Sequence, residues 1–319
     1  MSIEGKIASL IAKINDKEET WQAIEELKSI ANEKTLRLFF SYVNEPNWVV
    51  RWVLADIFSV VKDIRAIPYL VNLLLDKDFH VEQAAHKSLL NYGPRVIEKL
   101  APYLSSPNFK IRKIIAGLLI HFSDDAVFYF KDILSECDLI AANRLVEIIA
   151  RFESDAAKDI LVYALDIESV QKSAIIFLGA VKYKKAIPKL LELFLQPNLK
   201  KFVLEALLLI DQSFAFELLI QELNSGSYNY STYLESKIIE IGEPLISMLF
   251  DALKDNKNNR EFIVQILQKM NLTKLSNRLH TIAKKDHELQ TLTKELRKKY
   301  PYNFQKEMIK PKKKNIMLV

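Results

Sequence analysis

The chain has 319 residues, half of them apolar, 27% charged, and a formal net charge of +5. That balance excludes a disordered, collagenous or low-complexity chain, and a single cysteine, Cys137, excludes an internal disulfide. Six glycines in the whole sequence disfavour folds built on tight turns or phosphate-cradling loops and favour helices joined by short connections.

In chain order, Ile3, Ile7, Leu10, Ile11 and Ile14 fall at helical spacing and predict an amphipathic N-terminal helix. No apolar run approaches the ~18 residues of a membrane span. Absence of a secretory leader pattern points to a cytoplasmic protein without membrane contact.

From residue 34 onward the chain repeats. RAIPYLVNLLLDKD (65–78) and KAIPKLLELFLQPN (185–198) match, with Pro68 and Pro188 lying 120 residues apart, four periods of 30. A second register, an apolar residue followed by a polar one, recurs at Val50-Arg51, Val81-Glu82, Ile111-Arg112 and Val170-Gln171, with Ala141 filling the gap. A third is Pro-Asn at 46–47, 107–108 and 197–198, with Asp78 in the same place. Asn and Asp accept an orphan backbone N–H at a helix start, and proline in the first turn of a helix loses no hydrogen bond. Pro68, Pro188 and Pro244 therefore mark first helices, while Gly93, Gly179 and Gly242 are expected to close second helices in the left-handed region.

Each unit reads as two helices of about 10–13 residues. One such hairpin cannot cover its own apolar face, so about nine must stack, followed by a cap near 275–300. The expected organisation is one array over 1–300 and a basic tail over 301–319.

AIPYLVNLLLDKDFHVEQAAHKSLLNYG (66–93) resembles a HEAT repeat, of the short bacterial kind first described in phycobilisome lyases. The likeness spans roughly 34–270 and departs from the pattern after 214. It implies an all-α, alpha-alpha superhelix. The expected function is a non-catalytic scaffold whose concave face, lined by second helices, holds another protein, because such solenoids offer an extended surface there.

Candidate contact residues on that face are Arg51, Trp52, Glu82, Arg112, Lys113, Arg144, Glu147 and Lys172. Their mixed charge points to a protein partner. The tyrosines of the loop SGSYNYSTY (225–233), Tyr228, Tyr230 and Tyr233, form a second candidate, because tyrosine offers contact area at low entropic cost. Residues 284–319 hold 11 basic and 4 acidic side chains, leaving 34 and 36 elsewhere, so the body is slightly acidic. That argues against nucleic acid along the body.

Chemistry finds little foothold. Neither a phosphate-binding glycine loop nor a nucleophile elbow occurs. Cys137 lies between Glu136 and Asp138, the wrong neighbourhood for a reactive thiol. His287-Glu288 is the lone His-Glu dyad, where HEAT-type iron hydroxylases use several, so no metal or cofactor is expected. Trp48, Trp52 and Asp56, with Arg51, have the residue types of HEAT-like alkylpurine glycosylases, but Trp48 and Trp52 read as packing residues. A phycobilin-lyase-like role rests on the repeat type alone. KKKNIMLV, the closing residues, resembles the opening of a response-regulator receiver domain, which would make the array an interaction module of a two-component signalling protein.

Overall fold

The computed structural model describes residues 1–16, 19–122, 126–225, 231–255, 260–270 and 291. The described residues contain eighteen α-helices and no strand. The described helices pair along the chain as nine hairpins, and the expected cap near 275–300 lies outside the described residues apart from residue 291. Two compact units are formed, Met1–Ala206 and Leu207–Val319.

In the first unit the first helices are α1 (Ile3–Asn15), α3 (Leu36–Phe39), α5 (Ile67–Leu73), α7 (Ile97–Leu100), α9 (Val127–Leu134), α11 (Asp155–Ala164) and α13 (Ile187–Phe194). Their partners are α2 (Thr20–Ile30), α4 (Trp48–Val61), α6 (Phe79–Asn91), α8 (Phe109–Phe122), α10 (Leu139–Ile149), α12 (Gln171–Ala180) and α14 (Lys200–Ile210). Several first helices are shorter than the expected 10–13 residues. Thus α7 spans four residues and continues as a 3-10 segment, Ala101–Ser105. Pro102 lacks the N–H that would extend the α-helix.

The second helices start in register. Oδ1 of Asn47 accepts the Val49 N–H at 3.0 Å, Asp78 that of His80 at 2.9 Å, Asn108 that of Lys110 at 2.9 Å, and Asp138 that of Ile140 at 2.9 Å. The first helices open as expected, with Pro68 and Pro188 in the first turn. Apolar residues one turn apart face inward, so Leu70, Leu74, Val81, Ala85 and Leu89 are wholly buried. The same holds for Ala141, Leu145, Leu161, Ala174 and Leu178.

Successive second helices also pack on one another: α4 on α6, α6 on α8, α8 on α10 and α10 on α12. Polar seams tie the layers. Ser88 donates to the Ala55 carbonyl at 2.7 Å, Asn91 Nδ2 to Ser59 Oγ at 2.8 Å, and buried Tyr92 to the carbonyls of Phe58 and Asp63 at 3.0 and 2.9 Å.

Helix closure corrects one expectation. Gly93 (φ +70°) and Gly242 (φ +71°) do take positive φ after second helices. Gly179 does not; it lies inside α12. Lys182 (φ +52°) turns the chain there, as Lys62 (φ +54°) does four repeats earlier. Gly179 is small for another reason: a Cβ on it would stand 2.7 Å from Cα of Ala206 on α14.

The second unit contains α15 (Gln212–Ser225), α16 (Ser231–Ile241), α17 (Ile246–Asp255) and α18 (Arg260–Lys269). Leu219, Leu234, Ile238, Leu249, Ile263 and Ile266 form its core.

Candidate functional site

Four second helices, α4, α6, α8 and α10, present their first residue directly after the Asn or Asp cap. Those residues are Trp48, Phe79, Phe109 and Leu139, and each is large and apolar. They are 41%, 67%, 70% and 58% exposed. Single exposed apolar residues, such as Phe128 on α9, are ordinary on any surface. Four at the same place on consecutive repeats make a row of exposed apolar side chains. His80 joins its upper part, its ring 5.4 Å from Trp48 and 6.1 Å from Phe79. Arg112 stands 5.5 Å over the Phe109 ring.

The row was readable in the sequence, since an apolar residue follows the cap at 48, 79, 109 and 139. Sequence reasoning noticed only Trp48 and took it for turn packing.

One helical turn further in lie Trp52, Gln83, Lys113 and Asn143, with Lys172 in the same row on α12. Residues four apart share a helix face. Trp52 is half-buried and lies beneath the Lys28 ammonium, 5.8 Å from its ring centre. Lys113 and Lys172 are exposed. Lys172 sits 5.3 Å over the Phe202 ring.

Three predicted contact residues are engaged in the framework. Arg51 is 5% exposed, not a surface residue. Its Nε and Nη2 grip Asp76 of the next repeat at 2.7 and 2.8 Å, and its Nη1 donates to the carbonyls of Glu45 and Pro46. The paired guanidinium holds the Asp76 carboxyl below the ordinary carboxylate range. Arg112 repeats half of this device, donating to the carbonyls of Ser106 and Pro107 at 2.9 Å. Gln171 repeats it again, reaching the Leu165 carbonyl at 2.7 Å. Arg144 is half-buried and donates to the Leu104 carbonyl.

The repeated polar position is therefore an internal cap for the preceding turn. A helix leaves its last carbonyls unpaired, and a long donor folding back satisfies them. Glu82, also predicted as a contact, is half-buried and ion-paired with Lys110 at 2.8 Å. Glu147 is exposed and pairs with Arg151 at 2.9 Å.

The unpaired charges on these second helices are lysines. Within α4, α6, α8, α10 and α12 the acids are Asp56, Glu82 and Glu147, and each has a cationic partner, Asp56 pairing with Lys28 at 2.6 Å. Lys87, Lys113 and Lys172 have no carboxylate partner among the described residues.

Of the tyrosine loop, Tyr228 and Tyr230 lie outside the described residues. Tyr233 is half-buried within α16, so the expected loop gives way to helix from Ser231 on. The basic tail and His287 also lie outside the described residues.

Two cavities adjoin the first unit's turns. One, of about 370 Å³, is lined by Glu45, Pro46, Tyr69 and the Arg51–Asp76 pair. The other, of about 540 Å³, is lined by Asp166, Glu168, Gln171, Lys172 and Asn198. Among the described residues no three His, Cys, Asp or Glu side chains gather to hold a metal ion. Burial, with Asp138 and Glu136 beside it, pushes the Cys137 thiol up to about 11, so it is protonated at neutral pH. No helix of the described residues is long and apolar enough to cross a membrane.

No family model matches the chain, and no curated protein matches it. Among solved structures it is similar to human deoxyhypusine hydroxylase in complex with glycerol, at 17% identity and a TM-score of 0.30, over 73% of this chain and 94% of that one. It is also similar to two engineered proteins. One match is 19% identical with a TM-score of 0.27, covering 66% of this chain and 98% of that chain. The other is 17% identical with a TM-score of 0.29, covering 94% and 99%.

Proposed function

We propose that the chain is a non-catalytic HEAT-type scaffold, of the short bacterial kind, that binds another protein across the second-helix face of its first unit. One observation carries this reading: the row Trp48, Phe79, Phe109 and Leu139, exposed at the same place in four successive repeats. Folding does not require large apolar residues there, because the cap before each and the core behind each are already complete. A protein interface does, since its centre is built from aromatic and aliphatic anchors.

The polar side chains around the row support a binding role over a catalytic one. Arg51, Arg112, Gln171 and Arg144 are spent on backbone carbonyls, and Glu82 and Glu147 on ion pairs. The setting we propose is cytoplasmic, where a lone protonated thiol stays reduced. The receiver-like closing residues add a two-component signalling context. Reading the gene past codon 319 for an acidic pair tests that part.

The binding face is tested by placing a photoreactive phenylalanine analogue at Phe109, and separately at Phe128 on the first-helix side, in the native cell. The expected result is a discrete protein adduct from position 109 and none from 128. Adducts from 128 alone, or from neither position, overturn the reading.

A further inference from the structure

We infer that the partner of the second-helix face is an acidic amphipathic α-helix, laid across the repeats with its apolar residues seven apart on the Trp48–Phe79–Phe109–Leu139 row and its carboxylates against Lys113 and Lys172. This rests on the protein-binding reading above and specifies its ligand.

Three features lead there. The first is spacing. Packed helices lie about 8–10 Å apart, so the row repeats at about that step. On an α-helix, residues seven apart return to one face after about 10.5 Å. An extended strand offers same-face residues only about 6.6 or 13 Å apart, and neither matches.

The second feature is a parallel polar row. Lys113 follows Phe109 by four residues, a rise of about 6 Å along α8. Lys172 continues that row on α12. A partner helix presents a second row at the same offset, because its neighbouring positions also lie about 5–6 Å apart.

The third is charge. Every carboxylate on the five second helices already has a cation, whereas Lys87, Lys113 and Lys172 make no ion pair among the described residues. On these helices the unpaired charges are therefore positive, so the complementary ligand is acidic. Opposite potentials also speed encounter and reject basic competitors. Single-stranded nucleic acid shares the negative charge and stacks on aromatics. Leu139, however, offers no stacking surface, and the row's step is far longer than a stack of bases.

The probe is a labelled 25-residue helix-forming peptide with leucine every seventh residue and glutamate flanking it, added to the full chain. Fluorescence anisotropy reads its binding. Three controls accompany it: the same peptide with lysine for glutamate, the same peptide with two central prolines, and an oligouridylate of equal charge.

The expected result is saturable binding of the glutamate peptide alone, weakened by added salt. Phe79→Ser with Phe109→Ser, and separately Lys113→Glu with Lys172→Glu, each weaken it by roughly tenfold or more. The charge-reversed protein gains affinity for the lysine peptide. Phe79, Phe109, Lys113 and Lys172 are all exposed, and circular dichroism checks that the variants stay helical.

Equal binding of the lysine or proline peptide overturns the inference, as does preferred binding of the oligouridylate or no binding of the glutamate peptide. The crosslink at position 109 separates the two levels. A protein adduct there with no peptide binding removes the acidic helix and keeps the scaffold. No adduct there removes the scaffold reading itself.

Discussion

Repeats two to five and repeat six build the same hairpin in different ways. In α4, α6, α8 and α10 an Asn or Asp side chain caps the helix, and a large apolar residue follows it into solvent. In α12 the preceding residue is Val170, wholly buried with no side-chain cap, and the helix opens on Gln171. There the amide of Gln171 reaches back to the Leu165 carbonyl, the task of Arg51 and Arg112 elsewhere. The exposed row ends where the Asx caps end. Capping and the carbonyl clasp are thus separable devices, and the apolar row is an addition to both.

The largest difference between these repeats is expected at the clasp. Arg51→Ala strands the Asp76 carboxylate in a nearly dry site and is expected to cost about 3–5 kcal/mol in urea unfolding. Gln171→Ala removes one neutral hydrogen bond and should cost only about 1 kcal/mol. Equal losses would mean that the two clasps do the same job.

The Arg51–Asp76 pair also sets an acid limit. The folded-state pKa of Asp76 is lowered, chiefly by its hydrogen bond from Arg51. Its contribution is fully present above the unfolded carboxylate value, about 3.9. It is lost as pH falls through the lowered folded value. A pH series of unfolding midpoints should show that loss in the native chain, and Asp76→Asn should flatten it.

Next in size is Gly179→Ala. Its new methyl meets the Ala206 backbone at 2.7 Å, and overpacking of this kind costs about 1–3 kcal/mol. Asp138→Ala should cost about 1 kcal/mol by removing a helix cap. Asp138 accepts N–H bonds from Ile140 and Ala141 and the hydroxyl of Ser105 at 2.7 Å. The smallest effect has the opposite sign. Lys62→Gly relieves a left-handed residue and should stabilise by about 0.5–1 kcal/mol, read as a rise in thermal midpoint.

The hairpin architecture was legible because its markers are local. Proline in the first turn and Asn or Asp before the second helix each act on the adjacent backbone, so sequence spacing reveals them. Arg51 was legible as a repeated position and misread as surface. A long cationic side chain beside a turn looks exposed until its guanidinium is seen folded onto two carbonyls and a carboxylate from the next repeat. Gly179 was misread in the same manner, since its role is set by Ala206, 27 positions away. The row from Trp48 to Leu139 was fully written in the sequence. It was overlooked because large apolar residues in a repeat are taken for core, and only the cap geometry shows that these four point outward.

The row is surplus to folding and therefore free to bind. The urea unfolding midpoint of the triple variant Phe79→Ser, Phe109→Ser, Leu139→Ser tests it most directly. Each change lies at an exposed site, where substitutions usually fall within about 0.5 kcal/mol of neutral. The midpoint is expected to stay close to that of the unaltered chain. A fall comparable to that of Arg51→Ala would show that the row holds the stack together, and would contradict it.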